Sequence, residues 1–459
     1  MKIVVIIDDD QIARALLAEC LSGDNWRVIE AEDGEAGFDL VLQHRPHAVV
    51  CDIRIPKRNG FKVCQMIREH PELARTRLII HTCSRFPNDR TTALNFGADD
   101  YLMKPATPGE LIASLSMTRG ADTPTSARDA SLQLHEELPR VTQLRFWGVR
   151  GSIPTPGVET VYYGGNTACV ELRVGEQIII LDAGSGIRTL GTNLALEFAG
   201  RELKLTVLVS HTHWDHIQGF PFFAPAYNPK NSVRILGYSG AVHSLRGALF
   251  EQMQSAFFPV ALNDMSSRIM FEELNDMRFE LGPVSVDSFF ANHPGICLSY
   301  RINTPAGSIV YLTDHEPYER LERETQKAEA KHAPLGITYA RALDEKVIAH
   351  IRHADILIID SQYDAAEYPA RLRWGHTCVD DAVDLALRAD IKHLFLFHHD
   401  PGHGDEKISE MVNHARSIVS NARKDLRVDA AREGLEIVLT MDKVIPGADI
   451  QGTEPLTEG

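Results

Sequence analysis

The sequence predicts an α/β protein of two consecutive units, first a doubly wound parallel sheet and then an αββα sandwich of two sheets with outer helices. Its 459 residues are too many for one ordinary hydrophobic core, so two or three domains are expected. Residues 1–118 alternate short apolar runs with helical stretches five times, whereas strand-like runs follow one another more closely after residue 141. Residues 119–141 separate these two patterns.

The N-terminal unit, residues 1–118, contains five strand-like runs, each followed by a helical stretch. The apolar runs have the length of buried strands, and the stretches between them are long enough for helices. Five such βα repeats imply a parallel sheet that is covered by helices on both faces. The predicted strands are Lys2–Ile7, Arg27–Glu30, Ala48–Cys51, Arg77–His81 and Asp100–Met103.

The segment 119–141 has little periodic apolar content, which predicts a linker with room for a short helix at Leu132–Leu138. Residues 142–459 form the second unit, in which strand-like runs alternate with helices such as Cys378–Arg388 and Asp405–Arg423. An insertion at Gly240–Asp276 carries apolar side chains that could form a lid, a dimer contact or part of the core, namely Met253, Phe257 and Phe258. The predicted strands of this unit are Gln143–Trp147, Ala168–Val174, Gln177–Leu181, Leu205–Ser210, Val233–Tyr238, Val284–Phe290, Ser299–Asn303, Ser308–Leu312, Ile356–Ile359, His393–Phe397 and Leu435–Leu439.

Composition and charge restrict the possible functions. Hydrophobic residues make up 44% of the chain and charged residues 24%, as in soluble globular proteins, and no apolar run is long enough to cross a membrane. The net charge of −16 argues against a broad nucleic-acid-binding surface. The seven cysteines are scattered without a CxxC pair, so neither a disulfide framework nor a thiolate zinc site is expected, and the expected location is the cytoplasm.

Polar side chains follow four predicted strands of the N-terminal unit. Asp8 and Asp9 end the first strand, Asp52 follows the third, Thr82 the fourth and Lys104 the fifth. Ligands of open parallel sheets bind beyond the carboxyl ends of the strands, so these side chains are expected to form one cluster. The carboxylates suit Mg²⁺, and beside such a cation Asp52 can attack a phosphoryl group whose oxygens Thr82 and Lys104 can hold.

The strings IIDDDQIAR, CDIRIPKRNG, HTCS and DDYLMKP resemble the receiver domain of two-component signalling, and the resemblance covers the whole N-terminal unit. It implies that Asp52 is the phosphoacceptor, that Tyr101 is the aromatic residue that rotates on phosphorylation, and that a cognate sensor histidine kinase is the partner. It also implies Mg²⁺ ligands at Asp8 and Asp9 and a switch pair at Thr82 and Lys104. A degenerate receiver that serves only as a docking module is the alternative.

The second unit contains the motif His211-Thr-His213-Trp-Asp215-His216, directly after the predicted strand Leu205–Ser210. Alternate residues leaving a strand point the same way, so His211 and His213 can share one metal ion. Asp215 and His216 then turn toward a second ion. Three imidazoles and a carboxylate within six residues therefore predict a metal site.

More ligands are needed to complete two coordination shells, and each of His293, Asp314 and His398 follows a predicted strand. In this arrangement the unit resembles the metallo-β-lactamase fold, which implies one metal on His211, His213 and His293. The resemblance implies a second metal on Asp215, His216 and His398, with Asp314 bridging the two. His399 competes with His398 for the last position. His315 is expected to support the neighbouring ligand or to be structural, and by analogy Asp182 orients a ligand histidine.

The absence of a thiolate from this set fits Zn²⁺, Mn²⁺ or Fe²⁺ without choosing among them. Gly375-His376-Thr377 before the last ligand resembles ribonuclease Z and the cyclic phosphodiesterases related to it, which implies that His376 binds the scissile phosphate and protonates the leaving oxygen. Asp215 and His376 are thus the catalytic candidates. In the structural alternative, His376 only begins a helix.

The expected function is that of a response regulator with a dinuclear-metal phosphodiesterase output. The basic arm that grips tRNA in ribonuclease Z is not apparent, so a small phosphodiester such as a cyclic nucleotide is favoured over folded RNA. Asp52 phosphorylation would control activity or assembly, and the face at Asp100–Met117 could dock on the hydrolase or form a homodimer. An esterase or lactonase and a non-catalytic nucleotide-sensing or interaction module are the alternatives.

Overall fold

The computed structural model describes residues 2–21, 26–73, 75–115, 141–238, 244–329, 334–440 and 443–446. The helix expected at Leu132–Leu138 and the expected linker lie outside the described residues, except that Val141 already begins a strand. None of the described helices is both long and apolar enough to span a bilayer.

The N-terminal unit contains a five-stranded sheet with the strands β1 (Lys2–Ile7), β2 (Trp26–Ala31), β3 (Ala48–Cys51), β4 (Arg77–Thr82) and β5 (Asp100–Met103). The sheet order is β2-β1-β3-β4-β5, and every pair is parallel. The helices are α1 (Gln11–Leu21), α2 (Gly34–His44), α3 (Gly60–Glu69), α4 (Pro87–Asn95) and α5 (Pro108–Leu115). The predicted doubly wound parallel fold is confirmed, and it brings the carboxyl ends of β1, β3, β4 and β5 to one edge.

The C-terminal unit contains two sheets. Its strands are β6 (Val141–Gly148), β7 (Cys169–Val174), β8 (Gln177–Leu181), β9 (Lys204–Val209), β10 (Ser232–Gly237), β11 (Arg268–Glu273), β12 (Arg278–Leu281), β13 (Val284–Phe290), β14 (Leu298–Thr304), β15 (Gly307–Leu312), β16 (Ile356–Asp360), β17 (His393–Phe397), β18 (Arg427–Ala430), β19 (Glu436–Thr440) and β20 (Lys443–Pro446). One sheet has the order β11-β10-β9-β8-β7-β6-β19-β20, and the other has the order β12-β13-β14-β15-β16-β17-β18.

Aromatic side chains fill the space between the two sheets. Phe146 of β6 packs on Phe395 and Phe397 of β17, with ring centroids 5.3 and 6.1 Å apart. All three side chains are fully buried, and aromatic burial of this kind contributes strongly to core stability.

The helices of the C-terminal unit are α6 (Gly186–Glu197), α7 (Trp214–Ile217), α8 (Leu245–Gln252), α9 (Tyr318–Ala328), α10 (Pro334–Ile351), α11 (Val379–Arg388) and α12 (Asp405–Ala422). Buried residues of α6 and α8 pack with β8 to β10, and those of α10 to α12 pack with β15 to β17. The expected αββα layering is therefore confirmed.

The insertion Gly240–Asp276 is partly built into this fold. Met253 is buried in the core beside α8, which agrees with the core alternative for this residue, and Phe258 packs partly against the same cluster. Phe257 is exposed. Residues 268–273 form β11, which extends the first sheet parallel to β10.

Candidate metal centre and acidic cluster

The predicted acidic cluster assembles at the carboxyl edge of the N-terminal sheet. Ligand oxygens of Asp8, Asp9 and Asp52 lie within 4.8 Å of one another. The Lys104 ammonium lies 2.6 Å from a carboxylate oxygen of both Asp8 and Asp52. Burial opposes ionisation of Asp52, but the Lys104 charge outweighs it and lowers the pKa of this carboxyl. One ammonium among three carboxylates leaves net negative charge, which suits a divalent cation.

Negative charge at this edge also affects Asp8. Burial, aided by the neighbouring Asp52, raises the pKa of Asp8 to about 6 despite the opposing charge of Lys104. Thr82 is fully buried at the end of β4, and the Tyr101 hydroxyl donates a hydrogen bond of 2.8 Å to the Ser84 carbonyl oxygen. All of the predicted cluster residues therefore lie at this edge or in the loop beside it.

The seven predicted metal ligands of the C-terminal unit form two adjoining groups. The first group contains His211, His213, His293 and Asp314, and the second contains Asp215, His216 and His398. Within each group, one possible ligand atom of every residue lies within 4.8 Å of those of the others. His211 follows β9, His293 follows β13, Asp314 follows β15 and His398 follows β17. The ends of strands from both sheets thus meet at one place.

Asp314 lies between the two groups. Its Oδ2 atom is 3.6 Å from His211 Nε2 and 3.5 Å from His293 Nε2. Its Oδ1 atom is 3.3 Å from His216 Nε2 and 3.2 Å from His398 Nε2. One carboxylate oxygen therefore faces each group, as a carboxylate that bridges two metal ions requires.

Two of the imidazoles are in the protonation state that suits a metal ion, whereas the charges of Asp314, Asp215 and Asp182 outweigh burial and raise the pKa of His216 well above its ordinary value. Burial holds the pKa of His211 and His293 well below its ordinary value, so both imidazoles are neutral, which is the ligand form. The Nε2 atom of His211 is buried and has no hydrogen-bond partner. His293 Nε2 lies only 2.9 Å from His213 Nδ1, so two ring nitrogens converge. These residues fit a divalent metal pair.

Buried carbonyl and carboxylate groups orient the histidines from behind. Asp182 Oδ2 lies 2.8 Å from His216 Nδ1 and also accepts hydrogen bonds from the Ser210 and Tyr311 hydroxyls. His293 Nδ1 lies 2.9 Å from the Gly375 carbonyl oxygen. Each contact leaves the opposite ring nitrogen facing the centre, which fixes both tautomer and orientation.

Comparison with known proteins agrees with this architecture. Residues 4–116 match the response regulator receiver domain, and residues 177–399 match the beta-lactamase superfamily domain. The chain joins a receiver domain to a beta-lactamase superfamily domain. Among curated proteins, the receiver domain is similar to the probable transcriptional regulator ycf27 of Porphyridium aerugineum, with 36% identity over 27% of this chain and 50% of the relative. The chain thus spans about half the length of the curated relatives it matches.

Two solved structures resemble the beta-lactamase superfamily domain. YhfI of Bacillus subtilis is 17% identical, with a TM-score of 0.44, and the match covers 65% of this chain and 99% of that one. The short form of human tRNase Z is also 17% identical, with a TM-score of 0.42, and the match covers 64% of this chain and 98% of that one.

His376 lies beside the metal groups of the beta-lactamase superfamily domain. Its ring centroid is 5.2 Å from that of His293 and 5.1 Å from that of His398. Its Nδ1 atom is 3.1 Å from Oδ2 of Asp360, which is fully buried. Burial alone would lower the pKa of His376, but Asp360 outweighs it and raises the pKa to about 9. Asp360 therefore favours the protonated form of the imidazole.

His399, the competitor of His398 for the last ligand position, and His315, the neighbour of Asp314, both lie outside the two groups of predicted metal ligands. His399 Nε2 is 3.0 Å from the Ala431 carbonyl oxygen, whereas His398 lies among the ligands. His315 Nδ1 accepts a hydrogen bond of 3.1 Å from the Asn292 backbone N–H. Burial lowers the pKa of both histidines to about 3, so both rings are neutral.

Sequence reasoning missed Glu316 as part of this site. Its carboxylate accepts hydrogen bonds from the backbone N–H groups of Arg373 and Gly375 and from the Tyr368 hydroxyl. These contacts hold the turn that carries His376. Glu316 lies only two residues after the predicted ligand Asp314, and this closeness in sequence could have indicated that it belongs to the site.

Three further features shape the site. Ser152 donates its backbone N–H to Asp215 Oδ2 at 2.6 Å, so this loop closes over the second ligand group. A Cβ atom at Gly151 would lie 2.4 Å from the His398 ring. Two tryptophans next in sequence to site residues are exposed to solvent, Trp214 at 69% and Trp374 at 57%.

Proposed function

We propose that this protein is a two-component response regulator whose output is the metal-dependent hydrolysis of a small phosphodiester, such as a cyclic nucleotide. The observation that carries the proposal is the position of Asp314 between two ligand groups, with the protonated His376 beside them. In this proposal residues 1–118 are the receiver, 119–141 the linker and 142–459 the hydrolase. The protein would work in the cytoplasm, with a homodimer as one form of assembly.

The ligand groups fit two divalent ions, namely Zn²⁺, Mn²⁺ or Fe²⁺. Ions bound there would activate water as a nucleophile at neutral pH and offset the charge of a phosphoryl group. Asp182 and the Gly375 carbonyl keep the histidines oriented for this task, and Asp215 is held by Ser152. The chain therefore supplies a hydrogen-bonded and largely buried ligand set.

His376 supplies the proton that a phosphodiester leaving group needs. Because Asp360 keeps the imidazole protonated near neutral pH, His376 can bind an anionic phosphoryl oxygen and then donate to the leaving oxygen. A carboxyl ester or a lactone is neutral, so it gains less from a cation at this position than an anionic phosphodiester does. This difference favours phosphodiester over carboxyl-ester hydrolysis.

The exposed tryptophans support a substrate with a flat aromatic group. Trp214 lies within the metal motif and Trp374 lies two residues before His376. Aromatic side chains stack on nucleobases with about 1–3 kcal/mol per base. Together with the net charge of −16, they favour one nucleotide unit over a long polyanion.

The receiver site supports control by phosphorylation. A sensor histidine kinase would transfer a phosphoryl group from its phosphohistidine to Asp52; the P–N bond breaks as a P–O bond forms, and the imidazole leaves neutral after taking up a proton. Asp8 and Asp9 would hold Mg²⁺, and Lys104 and Thr82 would hold the transferred oxygens.

The test measures hydrolysis of bis(p-nitrophenyl) phosphate, an aryl carboxyl ester and a lactone by the Mn²⁺- or Zn²⁺-loaded protein. Phosphodiester hydrolysis should dominate and should fall in His376→Ala, because the variant loses the cation that binds the phosphoryl oxygen even where p-nitrophenolate leaves without a proton. The matched control is His414→Ala, because His414 is an exposed histidine paired with Asp380 on the helix surface. Ester or lactone turnover that is indifferent to His376 would reject the proposal.

A second variant separates an enzyme from a sensor or docking platform. His213→Ala should abolish hydrolysis, because His213 Nδ1 converges with His293 Nε2 in the first ligand group. Wild-type protein that binds metal but hydrolyses none of the three substrates would favour the non-catalytic module.

A further inference from the structure

A buried arginine of the receiver reaches into the beta-lactamase superfamily domain. Arg54 lies two residues after Asp52 and is only 5% exposed. Its Nη1 atom donates to the side-chain oxygens of Asn292 at 2.9 Å and Tyr318 at 3.1 Å, and its Nη2 atom donates to the His293 carbonyl oxygen at 3.0 Å. All three acceptors are neutral groups, and the carboxylates of Asp89 and Asp52 lie close enough to interact electrostatically with this cation.

The acceptors of Arg54 belong to two segments of the metal centre, one that carries His293 and one that follows Asp314. His293 is itself in the first ligand group. Asn292 donates through its side chain to the Glu316 carbonyl oxygen at 2.7 Å and through its backbone to His315 Nδ1 at 3.1 Å. These two residues directly follow Asp314. Arg54 therefore holds the His293 segment against the Asp314 segment.

A second receiver loop contacts the same segment. Asp89 at the start of α4 accepts a hydrogen bond of 2.8 Å from the Gly295 backbone N–H and one of 2.5 Å from the Ser84 hydroxyl. The Ser84 carbonyl in turn accepts from the Tyr101 hydroxyl. Residues 292–295 are thus held both by the loop after β3, which contains Asp52, and by the first turn of α4.

We propose that Arg54 is a positioning residue of the metal centre, supplied by the receiver, and that it transmits the phosphorylation state of Asp52 to His293. The acyl phosphate of Asp52 carries more negative charge than the carboxylate it replaces. Guanidinium groups bind phosphoryl oxygens more strongly than neutral amide or phenol oxygens, because those hydrogen bonds are assisted by charge. Phosphorylation therefore draws Arg54 away from residues 292 and 293 and releases the segment.

This inference rests on the proposed function, because it takes His293 as a metal ligand. Its test needs no substrate, so it remains interpretable if phosphodiester hydrolysis is not found. The measured quantity is hydrogen–deuterium exchange of peptides covering residues 291–298 in the full-length protein, which reports local opening of that segment. Beryllium fluoride with Mg²⁺ serves as the stable analogue of the acyl phosphate.

Arg54→Gln should speed exchange in residues 291–298 by about tenfold, because it removes the charge and the bond to the His293 carbonyl. Arg58→Gln is the matched control, since Arg58 lies in the same loop but pairs with Glu35 within the receiver. Beryllium fluoride should reproduce the Arg54→Gln effect in the wild type and have no effect in Asp52→Asn. Exchange in Arg54→Gln that equals that in Arg58→Gln would reject the positioning role.

A spectroscopic measurement tests the geometry at the metals. With Co²⁺ as the bound ion, the visible absorption bands report coordination, and Arg54→Gln and beryllium fluoride should shift them in the same way. If Arg54→Gln does not fold, Asp89→Ala provides the second variant, because it removes the hydrogen bond to Gly295. Unchanged spectra and exchange with beryllium fluoride bound would overturn transmission to His293.

Discussion

Among the carboxylates around the candidate acid His376, the buried Asp360 raises the pKa of the imidazole most strongly. Asp360 is fully buried, and its Oδ2 atom also accepts a hydrogen bond from the Thr377 backbone N–H at 2.9 Å, so its position is fixed. Asp360 therefore affects the reaction through its negative charge and through the hydrogen bond that it accepts from the His376 imidazole. This role differs from that of a metal ligand, so substitution of Asp360 can test proton donation by His376 without removing a predicted metal ligand.

Asp360→Asn should lower kcat most for substrates whose leaving oxygen is strongly basic. Such an oxygen needs a proton in the transition state, so an alkyl phosphodiester should lose about 10²-fold, whereas a p-nitrophenyl phosphodiester should lose much less. Steady-state kinetics with leaving groups of graded pKa measures this slope. The control is Asp364→Asn, because Asp364 pairs with Lys407 outside the metal groups. Equal losses across all leaving groups would show that Asp360 does not support proton donation.

Asp344 makes the stability of the fold depend on pH. It is a buried residue of α10 that accepts the backbone N–H bonds of Tyr318 and Glu319, and burial raises its pKa to about 7. A carboxyl whose folded pKa exceeds its unfolded value stabilises the fold below the unfolded pKa, and that contribution is lost as the pH rises through about 7.

Asp344→Asn should therefore become more stable relative to the wild type as the pH rises from about 5 to about 8, since the neutral amide never ionises. Thermal unfolding across this range measures the difference in Tm. Asp355→Asn is the control, because pairing with Lys392 keeps the pKa of Asp355 low and leaves it ionised throughout. A Tm difference for Asp344→Asn that does not vary with pH would contradict the raised pKa.

At the scale of elements, the loop that follows β6 presses against the metal centre. Gly151 has no room for a side chain, because a Cβ atom would meet the His398 ring at 2.4 Å. Ser152 in the same loop holds Asp215. The loop therefore packs on one ligand and binds another, both from the second group.

Gly151→Ala should displace His398 and weaken one of the two metal sites, so that the purified protein retains about one equivalent of metal instead of two. Metal content after dialysis measures this loss. Gly157→Ala is the matched control, because a Cβ atom there meets nothing within 4 Å. Full metal retention by Gly151→Ala would mean that the loop yields and does not fix His398.

The sequence could predict the central elements better than the peripheral ones, for physical reasons. Buried strands such as β16 and β17 are uninterrupted apolar runs and were identified correctly. The alternation of residues after β9 places His211 and His213 in one group, while their role as metal ligands stays a prediction. The edge strand β11 carries half-exposed side chains in no clear alternation and was missed. The helix α9 was also missed, since Leu321 is its main apolar residue and most of its other side chains are charged or polar.

At the scale of the molecule, the sequence predicted two domains but not the surface through which they meet. Its contacts include those of three isolated polar residues, Arg54, Asp89 and Lys346, the last of which lies 2.7 Å from Asp10 of the receiver. Isolated polar residues of this kind carry no periodic pattern. Their partners lie more than 200 residues away, so only the folded chain brings them together.

The interface places the edge of the receiver sheet that carries Asp52 against α9 and α10. Arg85 of the receiver pairs with Glu322 of α9, and a cavity of about 20 Å³ between Lys104 and Tyr339 has room for about one water molecule. If phosphorylation at Asp52 loosens this interface, linkage requires that loosening the interface favours phosphorylation by the same free energy.

Tyr238→Phe should therefore tighten the binding of beryllium fluoride to Asp52. The buried Tyr238 hydroxyl donates to the Ile55 carbonyl oxygen of the receiver at 2.8 Å, and loss of such a bond costs about 1 kcal/mol, or about fivefold in an equilibrium constant. Titration followed by ¹⁹F NMR measures the affinity. Tyr300→Phe is the matched control, because its hydroxyl donates to the Val209 carbonyl oxygen within the sandwich at 2.7 Å. If the affinity for beryllium fluoride rises equally in both variants, the cause is a general loosening of the protein. If it rises in neither variant, the interface between the domains does not affect phosphorylation of Asp52, and the prediction is wrong.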